Sequence, residues 1–282
     1  MKHILLLFLS FFVCRPAFAD LKIVASFPPI QSLVWSITEN VYPVNVLIAN
    51  PEQGHHDIQL KPSQMKTLKE ADIVFWVDED LESFMPQALQ SIAPDALSVP
   101  LLKQTDNLKL VPSVLNKEKN DVHIWMNPSN AMQMLETITA VLSQKDVQNA
   151  EKFEENKQKV LSYLNKLKDE KKPSKNKKFL AFHDGFNYFN DFFDVSIQTL
   201  PIQDEKNMTP ADFKQLKEYL LNEKPACSIL DPSLSRKDRK KLLLKKEPVI
   251  YMDAFAWKYE FGPAHYYQMM KRILRDLREC GK

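Results

Sequence analysis

The chain has 282 residues, with 38 Lys and Arg against 36 Asp and Glu and a formal net charge of +2 at pH 7. This balance excludes the one-sided positive field that is typical of nucleic-acid-binding proteins. Only four glycines occur, and neither a G-x-G-x-x-G motif nor a Walker-type run is present, which argues against a glycine-rich phosphate loop.

The first 19 residues have the organisation of a secretory signal peptide. Lys2 supplies a positive charge, residues 4–13 form an apolar and small-residue run, and Ala17-Phe18-Ala19 fits a small-x-small cleavage site. The run is shorter than the roughly 20 apolar residues that span a bilayer. We therefore predict cleavage after Ala19 and a soluble, exported protein of 263 residues (282 − 19) in the periplasm.

Removal of the signal peptide also removes Cys14 and leaves Cys227 and Cys280. An even count in an oxidising compartment favours a disulfide. A disulfide between them would close a loop of 53 residues (280 − 227) and stabilise the folded protein by roughly 4 kcal/mol in the chain-entropy model. The alternative is two buried free thiols.

Strands and helices alternate through the first half of the chain. Strands are predicted at 21–27, 41–48, 73–77 and 97–99, and helices at 30–37, 61–70 and 81–92. This order implies parallel strands joined by right-handed crossovers, with ligands bound beyond the carboxyl ends of the strands. At 263 mature residues, two domains are expected.

The longest helical stretch is predicted at 143–172, after a helix over 127–142. Thirty residues at about 1.5 Å each would span about 45 Å, so this stretch is interpreted as a rigid connector. The predicted organisation is a signal peptide at 1–19, an N-terminal lobe at 20–142, the connecting helix and a C-terminal lobe at 173–282. In the last lobe the alternation repeats, and a terminal helix at 266–280 would bring Cys280 towards the strand of Cys227.

Histidines recur at the ends of apolar runs. His55 and His56 follow the second predicted strand, and His123 and His183 lie in or after later runs. Neutral imidazole is the commonest protein ligand for metals, and three imidazoles leave one position for a carboxylate or water. We therefore predict one metal site, with zinc the favoured ion. Asp184, which follows His183, could orient an imidazole or cap a helix, and the capping role is favoured.

Several segments resemble, in order, the zinc-binding, ZnuA-type substrate-binding proteins of bacterial ABC metal-uptake systems. The similar segments cover essentially the whole mature chain and are 24–30, 56–63, 71–77, 123–128 and 182–189. The resemblance implies an α/β fold of two lobes, each a mostly parallel four-stranded sheet flanked by helices, joined by one long backbone helix with metal in the cleft.

The resemblance also implies particular residues. By position it makes His56, His123 and His183 metal ligands, and it supports the Cys227–Cys280 pairing. Asp253 matches the place of a fourth ligand in manganese-type members; water in that position, or a structural turn aspartate, are the alternatives. His55 could be a ligand, a partner of a ligand or part of the loop. In contrast to many zinc-type members, residues 103–121 contain no histidine.

The predicted function is capture of Zn²⁺ and its delivery to an ABC permease in the inner membrane, by a monomer that performs no catalysis. A receptor for manganese or another divalent metal is the alternative within the same family. An exported zinc hydrolase would need a general base, as in H-E-x-x-H, and this motif is missing from the sequence. A surface adhesin would need an anchor, and none is evident.

Overall fold

The structure is a computed structural model that describes residues 20–49, 58–200, 208–230, 248–255, 257 and 260–280. The predicted signal peptide, the loop with His55 and His56, and a basic segment at 235–244 whose sequence predicts a helix lie outside these ranges. Within the part of the chain that the structure describes, none of the helices combines enough length and apolar character to cross a bilayer.

The first lobe is built on a parallel sheet with the strand order β2-β1-β3-β4. Ile23 of β1 lies opposite Val44 on one side and Ile73 on the other, so β1 is internal. All four residues of β3 are buried, as expected for an apolar strand covered on both faces. The elements of this lobe are β1 (Ile23–Ala25), α1 (Pro28–Thr38), β2 (Val44–Val46), α2 (Pro62–Lys69), β3 (Ile73–Trp76), α3 (Met85–Ile92), β4 (Leu97–Pro100) and α4 (Leu101–Gln104).

The second lobe repeats the arrangement with the order β6-β5-β7-β8, again with every pairing parallel. Its α8 begins with a capping box in which Thr209 and Asp212 exchange hydrogen bonds. The predicted fold class of two four-stranded parallel lobes is therefore confirmed. The elements of this lobe are β5 (Lys178–Ala181), α7 (Asn187–Phe193), β6 (Ser196–Thr199), α8 (Pro210–Glu223), β7 (Cys227–Leu230), β8 (Val249–Tyr251) and α9 (His265–Glu279).

One long helix joins the lobes, but its bounds differ from the prediction of 143–172. The helix α5 (Pro128–Lys145) ends before Asp146, a 3-10 turn covers Val147–Asn149, and α6 runs over Ala150–Lys166. The side chain of Asp146 accepts a hydrogen bond from the Asn149 N–H and so stabilises the turn. The 17 residues of α6 span about 25 Å, roughly half the predicted length.

The connecting helix is held by polar groups as well as by its apolar stripe. Asn156 is buried and its side-chain amide donates to the carbonyl oxygens of Ile37 and Glu39, at the end of α1. Lys157 lies between Glu136 of α5 and Glu154, with Nζ–Oε2 distances of 2.5 and 2.9 Å. Because α5 and α6 fold back on each other, the helix is anchored to the first lobe along its length.

The C-terminal part of the second lobe, which includes Ala254 and Tyr266, packs directly on the first lobe. The Trp125 indole donates to the Ala254 carbonyl oxygen at 2.8 Å, and the Tyr266 hydroxyl donates to the Trp125 carbonyl oxygen at 2.6 Å. The Tyr266 N–H also donates to the Ser32 hydroxyl of α1. One continuous set of buried apolar residues accordingly includes members of both lobes.

A disulfide joins Cys227 at the start of β7 to Cys280 after α9. Their Cα atoms are 6.1 Å apart, within the range that a disulfide requires, and both residues are buried. The predicted pairing is confirmed, and it fixes the end of the terminal helix to the second sheet.

A buried carboxylate in the first lobe makes stability depend on pH. Glu82 is fully buried and accepts hydrogen bonds from the Val77 and Asp78 N–H groups. Burial raises the pKa of Glu82 from 4.5 to about 7, although these hydrogen bonds oppose the shift. The folded protein therefore binds more protons than the unfolded chain between these two values, and its stability falls as pH rises through this range.

We expect the substitution Glu82→Gln to remove this dependence. From pH 4.5 to pH 8, the free energy of unfolding of the variant should rise relative to the original protein by about 3 kcal/mol, because one pKa unit corresponds to about 1.4 kcal/mol. Urea denaturation at several pH values measures the difference. If the free energies of unfolding of the two proteins changed equally with pH, Glu82 would not titrate as described.

Candidate metal-binding site

His123 lies at the entrance to the short 3-10 helix Ile124–Met126 and is almost fully buried. The carboxylate of Asp121 orients it. One oxygen of Asp121 is 2.9 Å from the His123 backbone N–H and 2.7 Å from the ring Nδ1. A carboxylate can only accept, so Nδ1 carries the hydrogen and Nε2 keeps the lone pair with which imidazole binds a metal.

His183 follows the carboxyl end of β5 in the second lobe and is partly exposed. Its Nε2 atom is 3.1 Å from Nε2 of His123, and the two ring planes are perpendicular with centroids 5.0 Å apart. Two of the predicted histidines, from different lobes, therefore meet with their ring nitrogens directed towards one point. This is the place, beyond strand ends, that parallel sheets commonly use for ligands.

Gly185 closes one side of this pair, and its role was not anticipated from the sequence. A Cβ atom at this position would lie 2.8 Å from Cδ2 of His183 and 3.4 Å from Cδ2 of His123. Side-chain carbon atoms do not approach this closely, so any larger residue would push the imidazole of His183 aside. Glycine allows the backbone to pass beside both rings.

Aromatic side chains surround the other face of His123. The Trp125 and Phe255 rings lie with their centroids 5.2 and 5.8 Å from the His123 ring, and Phe255 stacks on Trp257. These contacts leave the His123 imidazole few alternative orientations, because each would collide with a buried ring. The apolar wall also keeps water from that face of the ring.

Asp253 belongs to the turn that carries this aromatic wall. Its carboxylate oxygens accept hydrogen bonds from the Phe255 N–H at 2.8 Å and the Trp257 N–H at 2.6 Å. The residue therefore acts as a turn aspartate, which was one of the alternatives. Its assignment as the fourth ligand stays a prediction.

The remaining predicted ligands, His55 and His56, lie outside the described residues. Within the described ranges, no group of three or more His, Cys, Asp or Glu side chains is arranged to hold a metal ion. The site that can be described is therefore the His123–His183 pair with its supporting residues.

Asp121 and Asp184, two aspartates near the pair, have roles that the sequence did not predict. Asp121 was missed, although a carboxylate two residues before a histidine ligand could have suggested a partner for its ring. Asp184 does not cap α7, whose first turn has no side-chain cap. Instead it accepts hydrogen bonds from Ser113 and Val114 of the first lobe and from Asn187.

Comparison with known proteins extends these observations. The family model for "Zinc-uptake complex component A periplasmic" matches residues 23–280. The high-affinity zinc uptake system protein ZnuA of Haemophilus ducreyi is 23% identical over 296 residues, which cover 93% of this chain and 94% of that protein.

Solved structures have the same fold. A zinc-bound deletion mutant of ZnuA is 18% identical and superposes with a TM-score of 0.79, covering 94% of this chain and 99% of that one. The protein FpvC of Pseudomonas aeruginosa in complex with Ni²⁺ is 15% identical, with a TM-score of 0.76 and coverage of 94% and 99%. Because the family model spans nearly the whole chain beyond the predicted signal peptide, this chain belongs to the family of periplasmic zinc-uptake complex component A proteins.

Proposed function

We propose that this protein captures Zn²⁺ between its two lobes and delivers the ion to an ABC permease in the inner membrane. The observation that carries the proposal is the 3.1 Å separation of the His123 and His183 Nε2 atoms. Two nitrogens bound to one tetrahedral zinc ion at about 2.0–2.1 Å would lie about 3.3 Å apart. The two rings therefore need only a small adjustment to accept the metal.

The complete ligand set would add His56 from the first lobe, with Asp253 or water in the fourth position. His55 is a weaker candidate, as a partner of a ligand. Imidazole ligands suit zinc, whereas manganese sites usually contain more carboxylates. Another divalent metal is the alternative cargo, because the structural neighbours include a nickel complex and a manganese complex.

Transport and not catalysis is the role that this site supports. The His123 ring is held by Asp121 and by aromatic packing, and its pairing with His183 suits binding and release of an ion. The protein would act as a monomer in the periplasm after cleavage of its signal peptide following Ala19. The relatives named as zinc uptake proteins support the same role.

Release of the ion would require local movement of ligand-bearing segments and not wide separation of the lobes. The hydrogen bonds of Trp125 and Tyr266 join the two lobes close to the site. The amide of Asn156 in α6 is likewise bonded to carbonyl oxygens at the end of α1. Opening the lobes would break buried hydrogen bonds, each of which costs about 1–3 kcal/mol when left unsatisfied.

Calorimetric titration with zinc tests the proposal. We expect one tight site in the original protein and a loss of affinity of more than about 100-fold in the His123→Ala variant, because a direct ligand should exceed the effect of an outer-shell partner. Manganese, titrated in parallel, should bind more weakly.

The matched control is His265→Gln. His265 is buried at the start of α9, with Nδ1 2.9 Å from the Glu260 carbonyl oxygen, and is not a predicted ligand. This variant should keep the zinc affinity. Zinc binding that is indifferent to His123, or a preference for manganese, would contradict the proposal.

The Asp121→Asn variant tests how the ring of His123 is oriented. Asparagine keeps an acceptor oxygen but loses the charge that makes the imidazole a better ligand, so zinc affinity should fall about 10- to 100-fold. Competition with a chromogenic chelator measures this constant. An unchanged affinity would show that the Asp121 carboxylate does not support metal binding.

The Gly185→Ala variant tests the close approach to the histidine pair. Overpacking of this kind costs typically about 1–3 kcal/mol, so zinc affinity should fall roughly five- to 150-fold as the His183 ring is displaced. The thermal midpoint of the metal-free protein serves as the control. It should change little, because the partly exposed His183 ring can move aside when no metal holds it, whereas zinc binding requires the ring to return. Equal affinity of the two proteins would mean that the His183 ring does not need its present position.

A further inference from the structure

A segment of the first lobe is bound along one side of the second. Residues 109–121, here called the strap, precede His123 in the chain. The strap is closed on itself by a bridge between Pro112 and Asn120 and by the hydrogen bond from the Asp121 N–H to the Val111 carbonyl oxygen. Its partners in the second lobe recur at the spacing of a helix face, and they are Asp184, Asn187, Tyr188 and Asp191.

Asp184 makes the most concentrated of these contacts. One of its carboxylate oxygens is 2.9 Å from the Ser113 hydroxyl, 3.0 Å from the Val114 N–H and 3.4 Å from the Leu115 N–H. Asp184 is 9% exposed, so these bonds are largely shielded from water. Hydrogen bonds to a charged acceptor are the stronger kind, and shielding increases their contribution.

Asn187 connects this contact to the histidine pair. Its side-chain amide donates to Asp184 at 2.7 Å and to Asp121 at 3.0 Å. Asp121 in turn orients the His123 ring, and Asp184 directly follows His183 in the chain. A single amide therefore links the carboxylate beside one histidine to the carboxylate that holds the strap.

Further contacts fix the two ends of the strap. Lys109 forms an ion pair with Asp191 at 2.5 Å, and Lys119 forms one with Asp80 of the first lobe at 2.7 Å. These lysines are more than half exposed, so the pairs contribute little to stability. The shielded Asp184 cluster therefore contributes more to attachment of the strap than these ion pairs do, beside the buried hydrogen bond from the Tyr188 hydroxyl to the Asp121 carbonyl oxygen.

We propose that Asp184 is a positioning residue for metal retention: it holds the strap against the second lobe and so keeps His123 and His183 together. The inference rests on the proposed function, because the retained ion is the cargo bound by this pair. Movement of the strap away from the second lobe, which would carry His123 away from His183, breaks the Asp184 cluster. Attachment of the strap therefore stabilises the metal-bound arrangement of the pair and slows loss of the ion.

Zinc release into excess chromogenic chelator, followed by stopped-flow absorbance, tests the proposal. The Asp184→Ala and Ser113→Ala variants should each release zinc about tenfold faster or more, a typical size for coupling between two sites. The association rate constant should change much less. Ser113→Ala is the milder variant, since it removes a donor ten residues away from His123 in the chain.

The double variant distinguishes action through the strap from a direct effect on His183. If Asp184 acts through the strap, Asp184→Ala combined with Ser113→Ala should release zinc no faster than Asp184→Ala alone. The matched control is Asp194→Asn. It removes a carboxylate at the opposite end of α7, where the partner is the exposed Lys175. Asparagine tolerates the left-handed backbone at this position, so release should stay at the original rate.

Hydrogen exchange of the metal-free protein provides a reading that does not depend on zinc. The Val114 and Leu115 amides should lose protection in Asp184→Ala while the amides of β3 keep theirs. Normal release rates in both single variants, or full additivity in the double variant, would overturn the proposal. Failure of the proposed function would instead appear as absence of tight zinc binding by the original protein.

Discussion

The close approach of His123 to His183 requires the two lobes to be held in one fixed arrangement. The two rings belong to different lobes, yet their Nε2 atoms lie 3.1 Å apart. Such a distance can be kept only when both lobes are fixed relative to each other to within about 0.5 Å, the tolerance of a working binding site. The Trp125 and Tyr266 hydrogen bonds across the lobe boundary provide this restraint, and the aromatic wall fixes the ring itself.

The same restraint determines how cargo could leave. A binding protein whose lobes are joined by a flexible linker releases its ligand by opening at a hinge. Here Asn156 bonds the connecting helix to the end of α1, and the disulfide fixes the end of α9 to β7. The elements with freedom to move are therefore connecting segments, which have few buried apolar contacts. The strap is such a segment, and it is bound to the residue after His183.

Sequence reasoning found the histidines but missed the residues that support them. Asp121 and Gly185 have no periodic signal, because their importance depends on which ring nitrogen and which ring edge they meet in the folded protein. The connecting helix was predicted too long for a related reason. The amphipathic pattern continues on both sides of Asp146, whereas the break there depends on a side-chain hydrogen bond to Asn149 and on the packing of α6 against α5.

The two parallel sheets and the order of their elements could be predicted from the sequence, because apolar runs and turn residues are local signals. The pairing of Cys227 with Cys280 could be predicted because these two cysteines remain after removal of the signal peptide. The sequence also singled out His123 and His183, because both lie in or after apolar runs and in segments that resemble, in order, the ligand motifs of the family. The folded structure was needed to show that their nitrogens face each other, that Asp121 selects the tautomer and that Asp184 binds the other lobe. The first and third of these relations join residues about 60–70 positions apart in the chain, beyond the reach of local chain preferences, so packing between the lobes sets them. Asp121 is only two positions from His123, but its effect depends on how the folded chain turns the His123 ring.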